Sequence, residues 1–239
     1  MTGASKRTAA IMQPTYLPYL GYFHLIAQAE VFVFLDDVQF ARRSWQSRNR
    51  ILGASGEVML TVPTRKTDRD APIADIEISD AEPWAAKHLA SIRHAYGKRP
   101  FFAEGMTFLE AQLGSPPARL ADLNAGLIQA AAAELELKAE FVRASALPVT
   151  GQRSDRLLSI CRAVGAADYL SPMGSADYMT EDGVFAGAGF PARFQSFVEV
   201  AYPQGQPTFT PYMAFIDAVM NLGWAGTRGL IDQMDGAQP

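Results

Sequence analysis

The sequence predicts an α/β fold: a mostly parallel sheet with a helical insertion. Three observations carry this expectation. Strand-like runs alternate with helical segments at both ends of the chain. The run VFVFLDDVQF, starting at Val31, is apolar without alternation through Leu35, as a strand covered on both faces must be. Between the two ends lies a block with helical period, apolar at Leu120, Leu123, Leu127 and Ile128.

In chain order, AAIMQP reads as a short buried strand, followed by a turn at Pro14 and Pro18. GYFHLIAQAE reads as a helix with Phe23, Ile26 and Ala27 on one face, and VFVFLDDVQF as the next strand. Strand, helix and strand in this order make a parallel crossover. GEVMLTVPT and PIADIEIS are expected as two further strands around the polar loop RKTDRDA. Pro83 opens the helix PWAAKHLASIRHAYG, where a missing N–H costs nothing. FFAEGMTFLEAQL and ARLADLNAGLIQAAAAELEL are helices parted by Gly114 to Pro117. FVRASAL is a strand, and SDRLLSICRAVGA a helix with Ser154 as N-cap and Gly165 as stop. DYLSPMGSADYM is a short strand entering a Gly/Ser/Pro turn, ARFQSFVEVAY a late strand, and YMAFIDAVMNLG a last helix ending at Gly223. The expected organisation is a flexible segment 1–8, one α/β domain over 9–225 with its helical insertion around 84–136, and a tail 226–239.

Of the 239 residues, 49% are hydrophobic and 19% charged, which suits a folded globule rather than a disordered chain. No apolar run approaches the ~20 residues of a membrane helix, and no h-region follows the two basic residues of the N-terminus. A cytoplasmic protein without membrane partners is the expectation. The lone Cys161 excludes a disulfide framework and a cysteine-rich zinc site, and its apolar neighbours predict a buried, inert thiol. No cluster has convincing metal spacing. The net charge of −4 argues against a broad nucleic-acid surface. Arg42, Arg43, Arg48, Arg50, Arg65, Lys66 and Arg69 nevertheless fall in one stretch, either a solvated face or a local anion site.

Ligands of parallel α/β sheets sit at the carboxyl ends of the strands. The turn QPTYLPYLGY lies at that edge, where Gly21 lets the backbone approach a ligand and Tyr16, Tyr19 and Tyr22 offer phenols and flat faces. Asp36 and Asp37 close the next strand at the same edge. Strand alternation points them to opposite sides, so one suits a general base or cation ligand and the other a structural cap. Arg43, Arg48 and Arg50 fit phosphate, and Trp45 offers a stacking surface. His24 is kept for its neighbours; each histidine is otherwise read as structural. Ser171 and Gly174, in the turn after a later strand, fit either a phosphate cradle or an ordinary turn. The segment Tyr19-Leu20-Gly21-Tyr22 resembles the His-x-Gly-His signature of nucleotidylyltransferases and class I aminoacyl-tRNA synthetases, with tyrosine at both histidine positions. That likeness implies a Rossmann-like sheet and, as an alternative activity, ATP- and magnesium-dependent nucleotidylyl or adenylyl transfer.

A longer set of motifs carries a second resemblance. IMQPTYLPYLGYFHLIAQAEVFVFLDDVQF, RRSWQSRNRI, LTVPTRK, IRHAYGKRPFF, SDRLLSICRAVGAADYLSPMGSADY, FQSFVEVAYPQ and PYMAFIDAVMNLG resemble the WbqC-like family from about residue 9 to 223. Two departures stand out: Ser171-Pro172 replaces the family's usual Ser-Gly, and Ala214 replaces a commoner serine. The resemblance implies a transferase of bacterial surface-polysaccharide (O-antigen) synthesis. Its substrate would be a nucleotide-activated amino sugar, receiving an acyl or aminoacyl group of the glycyl type, with aminoacyl-tRNA one conceivable donor. Tyr22, His24, Asp36 and Asp37 are the candidate catalytic groups. The quoted motifs add Gln13, Pro14, Gln46, Asn49, Lys66, Tyr96, Tyr178 and Gln195 to the substrate-binding set already described. No cofactor is required by the sequence, although magnesium with a nucleotide is compatible with it. A non-catalytic module that binds a glycan precursor is the remaining alternative.

Overall fold

Two alanines, Ala9 and Ala10, sit fully buried at the centre of the molecule, on a strand covered from both sides. This is β1 (Thr8–Met12). The computed structural model describes residues 7–236, so most of the expected flexible N-terminus lies outside the described residues. β1 pairs in parallel with β2 (Val31–Phe34) on one side and β6 (Asp168–Ser171) on the other. β5 (Glu140–Arg143) extends the β2 side and β7 (Ala192–Phe194) the β6 side, giving the order β5-β2-β1-β6-β7. The fold is Rossmann-like α/β, and the chain reverses its winding at β1.

Strand alternation sorts the core into two layers. Ala10, Phe32, Phe34 and Leu170 face α1 (Leu20–Ala27), α8 (Phe215–Ile231) and the helical insertion. Ala9, Ile11, Val31, Val33 and Tyr169 face α5 (Arg153–Ala163) and, through Met179 and Phe185, α6 (Ala176–Asp182) and α7 (Val184–Gly187). The insertion comprises α2 (Trp84–Tyr96), α3 (Phe102–Leu113) and α4 (Leu120–Glu134). Cys161 is fully buried, and burial pushes its thiol up to about 12, so it is inert.

Several elements differ from expectation. The basic run is itself a strand: β3 (Arg48–Gly53) pairs antiparallel with β4 (Gly56–Thr61) as a hairpin apart from the main sheet. Asn49 and Ile51 point inward while Arg48 and Arg50 point out, an alternation hidden by the many charges. PIADIEIS is not a strand but a single 3-10 turn, Ile73–Asp75, with isolated bridges. Its buried isoleucines fall at 73, 76 and 78, a spacing that no two-residue period fits. The β2 ladder stops at Phe34, and β7 ends at Phe194 because Gln195 turns inward onto α1. Helix α5 starts at Arg153 with Gln152 at the N-cap, and the buried Ser154 hydroxyl caps nothing. Gly223 (φ +71) breaks α8, but the helix resumes to Ile231; the residues read as a tail bury Leu230, Ile231 and Met234.

Two polar networks hold the sheet edge to its surroundings. Asp36, fully buried, accepts hydrogen bonds from Arg143 Nε (2.8 Å), Ser145 N (2.9 Å) and Ser145 Oγ (2.8 Å), which ties β2 to the end of β5. His88 on α2 donates from Nε2 to the Thr61 carbonyl (3.2 Å) and accepts at Nδ1 from the Tyr16 hydroxyl (2.9 Å). These partners assign the neutral tautomer, and burial lowers its pKa from 6.5 to about 4.

Replacing Asp36 by alanine is expected to destabilise the fold by about 1–3 kcal/mol, since Arg143 keeps its pairing with Asp122 while the Ser145 N–H loses its acceptor; denaturant melts read this directly. For His88, the unfolded chain takes up a proton between about pH 6.5 and pH 4 that the folded chain refuses. Its contribution is therefore complete above that window and falls as pH drops through it. Denaturation of His88→Gln at pH 7 and pH 5 should show a lower stability at pH 7 and a shallower loss on acidification than the wild type.

Candidate functional site

At the carboxyl edge of β1 the chain leaves the sheet as Gln13 and enters an irregular turn before α1. Two cavities open there, of about 260 and 310 Å³, and they share Met12, Thr15 and Trp45 as a common wall. The first lies between the turn and the β3–β4 hairpin, lined by Pro18, Tyr19, Tyr22, Asn49, Arg50 and Tyr212. The second spans the ends of β1, β2 and β6, with Gln13, Leu35, Ser44, Gln46, Leu157, Tyr169, Pro172 and Ser175. It sits where the strand order reverses, the usual ligand crevice of an open parallel sheet.

In the first cavity Tyr19 and Tyr22 stay neutral. Burial, then Glu199 and Tyr212, push Tyr19 up to about 12. Burial raises Tyr22 well above its ordinary value, and its hydroxyl donates to the Gln13 carbonyl (3.0 Å). Arg50 provides positive charge. Its guanidinium stands 5.8 Å over the Trp45 ring, binds Glu57 at 3.0 and 3.1 Å and reaches the Tyr212 carbonyl at 3.4 Å. Trp45 and Tyr212 are both about half exposed at 49% and 48%, so two flat aromatic faces flank the opening.

Glu199 stands behind this wall and escaped sequence analysis. Its Oε1 accepts from Tyr212 N (3.3 Å), while Oε2 is buried without a partner among the described residues. Burial raises its pKa, partly offset by the Tyr212 N–H and by Arg50. The sequence did carry a signal: Glu199 is the one carboxylate in the apolar run FVEVAY. Tyr212 carried none beyond lying on a motif.

The structure brings Tyr19, Tyr22, Trp45, Asn49, Arg50, Gln13 and Gln46 to the crevice, with Ser171 buried beneath Ser175 at its floor. It separates the rest. Pro14 is buried, and Tyr16 turns under the crevice onto His88. At Gly21 a side chain would meet the Tyr19 ring at 2.4 Å and Phe197 at 2.9 Å, so the glycine admits the aromatic wall rather than a ligand. His24 and Gln195 meet each other (2.8 Å), and His24 also bonds Asp235 (3.0 Å), clamping the late segments onto α1. Asp36 has no exposed surface, and Asp37 pairs with Arg156. Tyr96 donates to the buried Asp217 (2.8 Å) on α8. Arg43 and Arg48 line a different cavity, Lys66 lies on an exposed loop and Gly174 faces open space. The Tyr178 side chain lies outside the described residues. Among those described, no three His, Cys, Asp or Glu side chains are grouped to hold a metal ion, and no helix is long and apolar enough to cross a membrane.

Comparison with known proteins places this geometry in context. The chain is 27% identical over 219 residues to the uncharacterized protein Rv1507c of Mycobacterium tuberculosis, covering 91% of this chain and 94% of that protein. No solved structure matches it. The model of the WbqC-like protein family matches residues 13–229, from the first residue of the turn almost to the end of α8. The chain belongs to the WbqC-like protein family.

Proposed function

We propose that the protein is a transferase of bacterial surface-glycan synthesis that joins an acyl or aminoacyl group to the amine of a nucleotide-activated amino sugar. The observation that carries this reading is the pair of cavities meeting at Trp45 on the switch point of the sheet. Ligand sites commonly span about 300–1,000 Å³, so either cavity alone is small, while together they suit two reactants brought end to end. Membership of the family favours glycan-related chemistry.

In this reading the sugar nucleotide occupies the first cavity. Arg50 takes a phosphate oxygen, Trp45 and Tyr212 stack on flat portions of the ligand, and the Tyr19 hydroxyl donates to the sugar. The acyl donor lies across Thr15 in the second cavity, facing Gln13 and Ser175. The amine nitrogen attacks the acyl carbon, the bond to the donor's leaving group breaks, and the amine proton passes to Glu199. A carboxylate with raised proton affinity suits that last task. Holding both reactants at one edge supplies most of the rate gain, because it converts an encounter into a step within one complex.

Thermal-shift and calorimetric titration against nucleoside-diphosphate amino sugars test the binding half. A ligand at 100 times its dissociation constant adds about 2.7 kcal/mol of stability. Arg50→Ala is expected to weaken that binding by about 1.5–3 kcal/mol, the contribution of a charge-assisted hydrogen bond; equal affinity would remove Arg50 from the site. Mass spectrometry of the sugar nucleotide after incubation with acyl donors tests the chemistry. Glu199→Gln should leave the dissociation constant near wild type and slow acylation by roughly 10²–10⁴. An unchanged rate would take the proton away from Glu199.

A further inference from the structure

On the outer side of the segment Ser44–Arg48 lies a second, strongly basic concavity. Ser44, Trp45 and Gln46 face the crevice, whereas Ser47 and Arg48 face away from it, into a cavity of about 240 Å³ shared with Arg42 and Arg43. A neighbouring cavity of about 440 Å³ is lined by Gln39, Phe40, Arg42 and Arg69. Phe40 and Arg42 belong to both, so the two are continuous. We propose that this groove is an oligophosphate-binding site, taking a ligand with two or more phosphates in a row and separate from the crevice at Trp45.

Four observations carry the proposal. Among the described residues no carboxylate lines either cavity; the nearby Asp70 accepts from Gln39. None of Arg42, Arg43, Arg48 and Arg69 forms an ion pair among the described residues, although arginines elsewhere pair widely, as Arg65, Arg93, Arg143 and Arg156 do. Arg48 Nε is buried and has no acceptor among the described residues, an arrangement that costs free energy and that an oxyanion would relieve. Arg43 is held at φ +58, a sparsely populated backbone conformation for a residue with a side chain, and such strain concentrates at ligand clamps. Arg42 gives one N–H to the Thr67 carbonyl (2.9 Å), which fixes its fork in the wall common to both cavities. A single phosphate would engage one cavity and leave the arginines of the other unmatched. A run of phosphates matches all four. The protein carries a net −4, so this concentration of unpaired arginines is local rather than a reflection of composition.

Calorimetric titration of the full chain with sodium tripolyphosphate, pyrophosphate and phosphate at low salt tests the site. Affinity should fall in that order and weaken as salt rises. Arg42→Ala and Arg48→Ala should each weaken tripolyphosphate at least tenfold. Lys66→Ala, which changes a charge on the neighbouring loop, and Arg50→Ala, in the crevice, should both stay within about twofold. Arg48→Lys keeps the charge but loses the fork, and should fall between wild type and Arg48→Ala; it also serves if the alanine variant melts early. Absence of binding overturns the proposal. Equal losses for Lys66→Ala and Arg48→Ala would reduce it to diffuse attraction, and abolition by Arg50→Ala would move the anion to the crevice. Saturation with a nucleoside-diphosphate sugar should leave tripolyphosphate affinity unchanged, so the two sites stand or fall separately.

Discussion

The turn from Gln13 to Pro18 is irregular backbone under the surface, and the rest of the molecule is arranged to satisfy it. Buried carbonyls outside a ladder need donors, and each one left unpaired costs about 1–3 kcal/mol. Tyr22 donates to Gln13 O, Asn124 to Pro14 O, Asn49 to both Tyr16 O and Leu17 O, and the Phe215 N–H to Pro18 O. Tyr16 N in turn donates to the Trp45 carbonyl (3.0 Å). The donors come from α1, α4, β3 and α8, four elements far apart in sequence. The hairpin and the helical insertion are therefore part of the site's foundation, since neither Asn49 nor Asn124 has a local reason to be buried. Leu17, held at φ +43 and fully buried, is the strained residue that this framework fixes in place.

A turn tied at so many points fixes the side chains that spring from it. Tyr16 goes down to His88 and Trp84, Tyr19 goes out against Tyr212 and Phe197, and Tyr22 goes inward against Phe32. Three tyrosines from one motif thus have three different tasks, of which only those of Tyr19 and Tyr22 concern the cavity wall. Proline at both ends of the turn limits the unfolded alternatives, and Gly21 removes the Cβ that would push Tyr19 off the helix start.

The period of the sequence made the sheet and most helices legible, and the carboxyl-edge rule located the crevice from β1 alone. The hairpin strand β3 was hidden because Arg48 and Arg50 obscure the inward Asn49 and Ile51. Roles within the motif were less legible, because they depend on partners that are distant in the chain. Asp36 looks like a strand-end carboxylate until Arg143 and Ser145 close over it. His24 looks poised beside a tyrosine-rich turn until Gln195 and Asp235 occupy both ring nitrogens. Glu199 is the converse: one charge in an apolar run, given meaning only when Tyr212 and Arg50 are brought against it by the α8 end of the fold. Residue type singled out the stretch; the tertiary partners decide which of its side chains face a cavity and which are spent on holding the fold.

On the proposed reading, the electrostatics of the first cavity would couple binding to proton transfer. Neutral phenols replace the imidazoles of the signature that this turn resembles, so Tyr19 and Tyr22 can orient a ligand but bring no positive charge. Arg50 is the lining residue with a permanent charge, and in the free protein that charge is divided between the exposed Glu57 and the half-buried Glu199. Glu57 exchanges readily with water, so a phosphate can take its place at small cost. Once a phosphate is seated, the positive field that holds the Glu199 pKa down is neutralised, and the proton affinity of that carboxylate rises further. Desolvation by the bound ligand acts in the same direction. On the proposed reading, the base is therefore strongest when the acceptor substrate is in place and weaker when the cavity is empty.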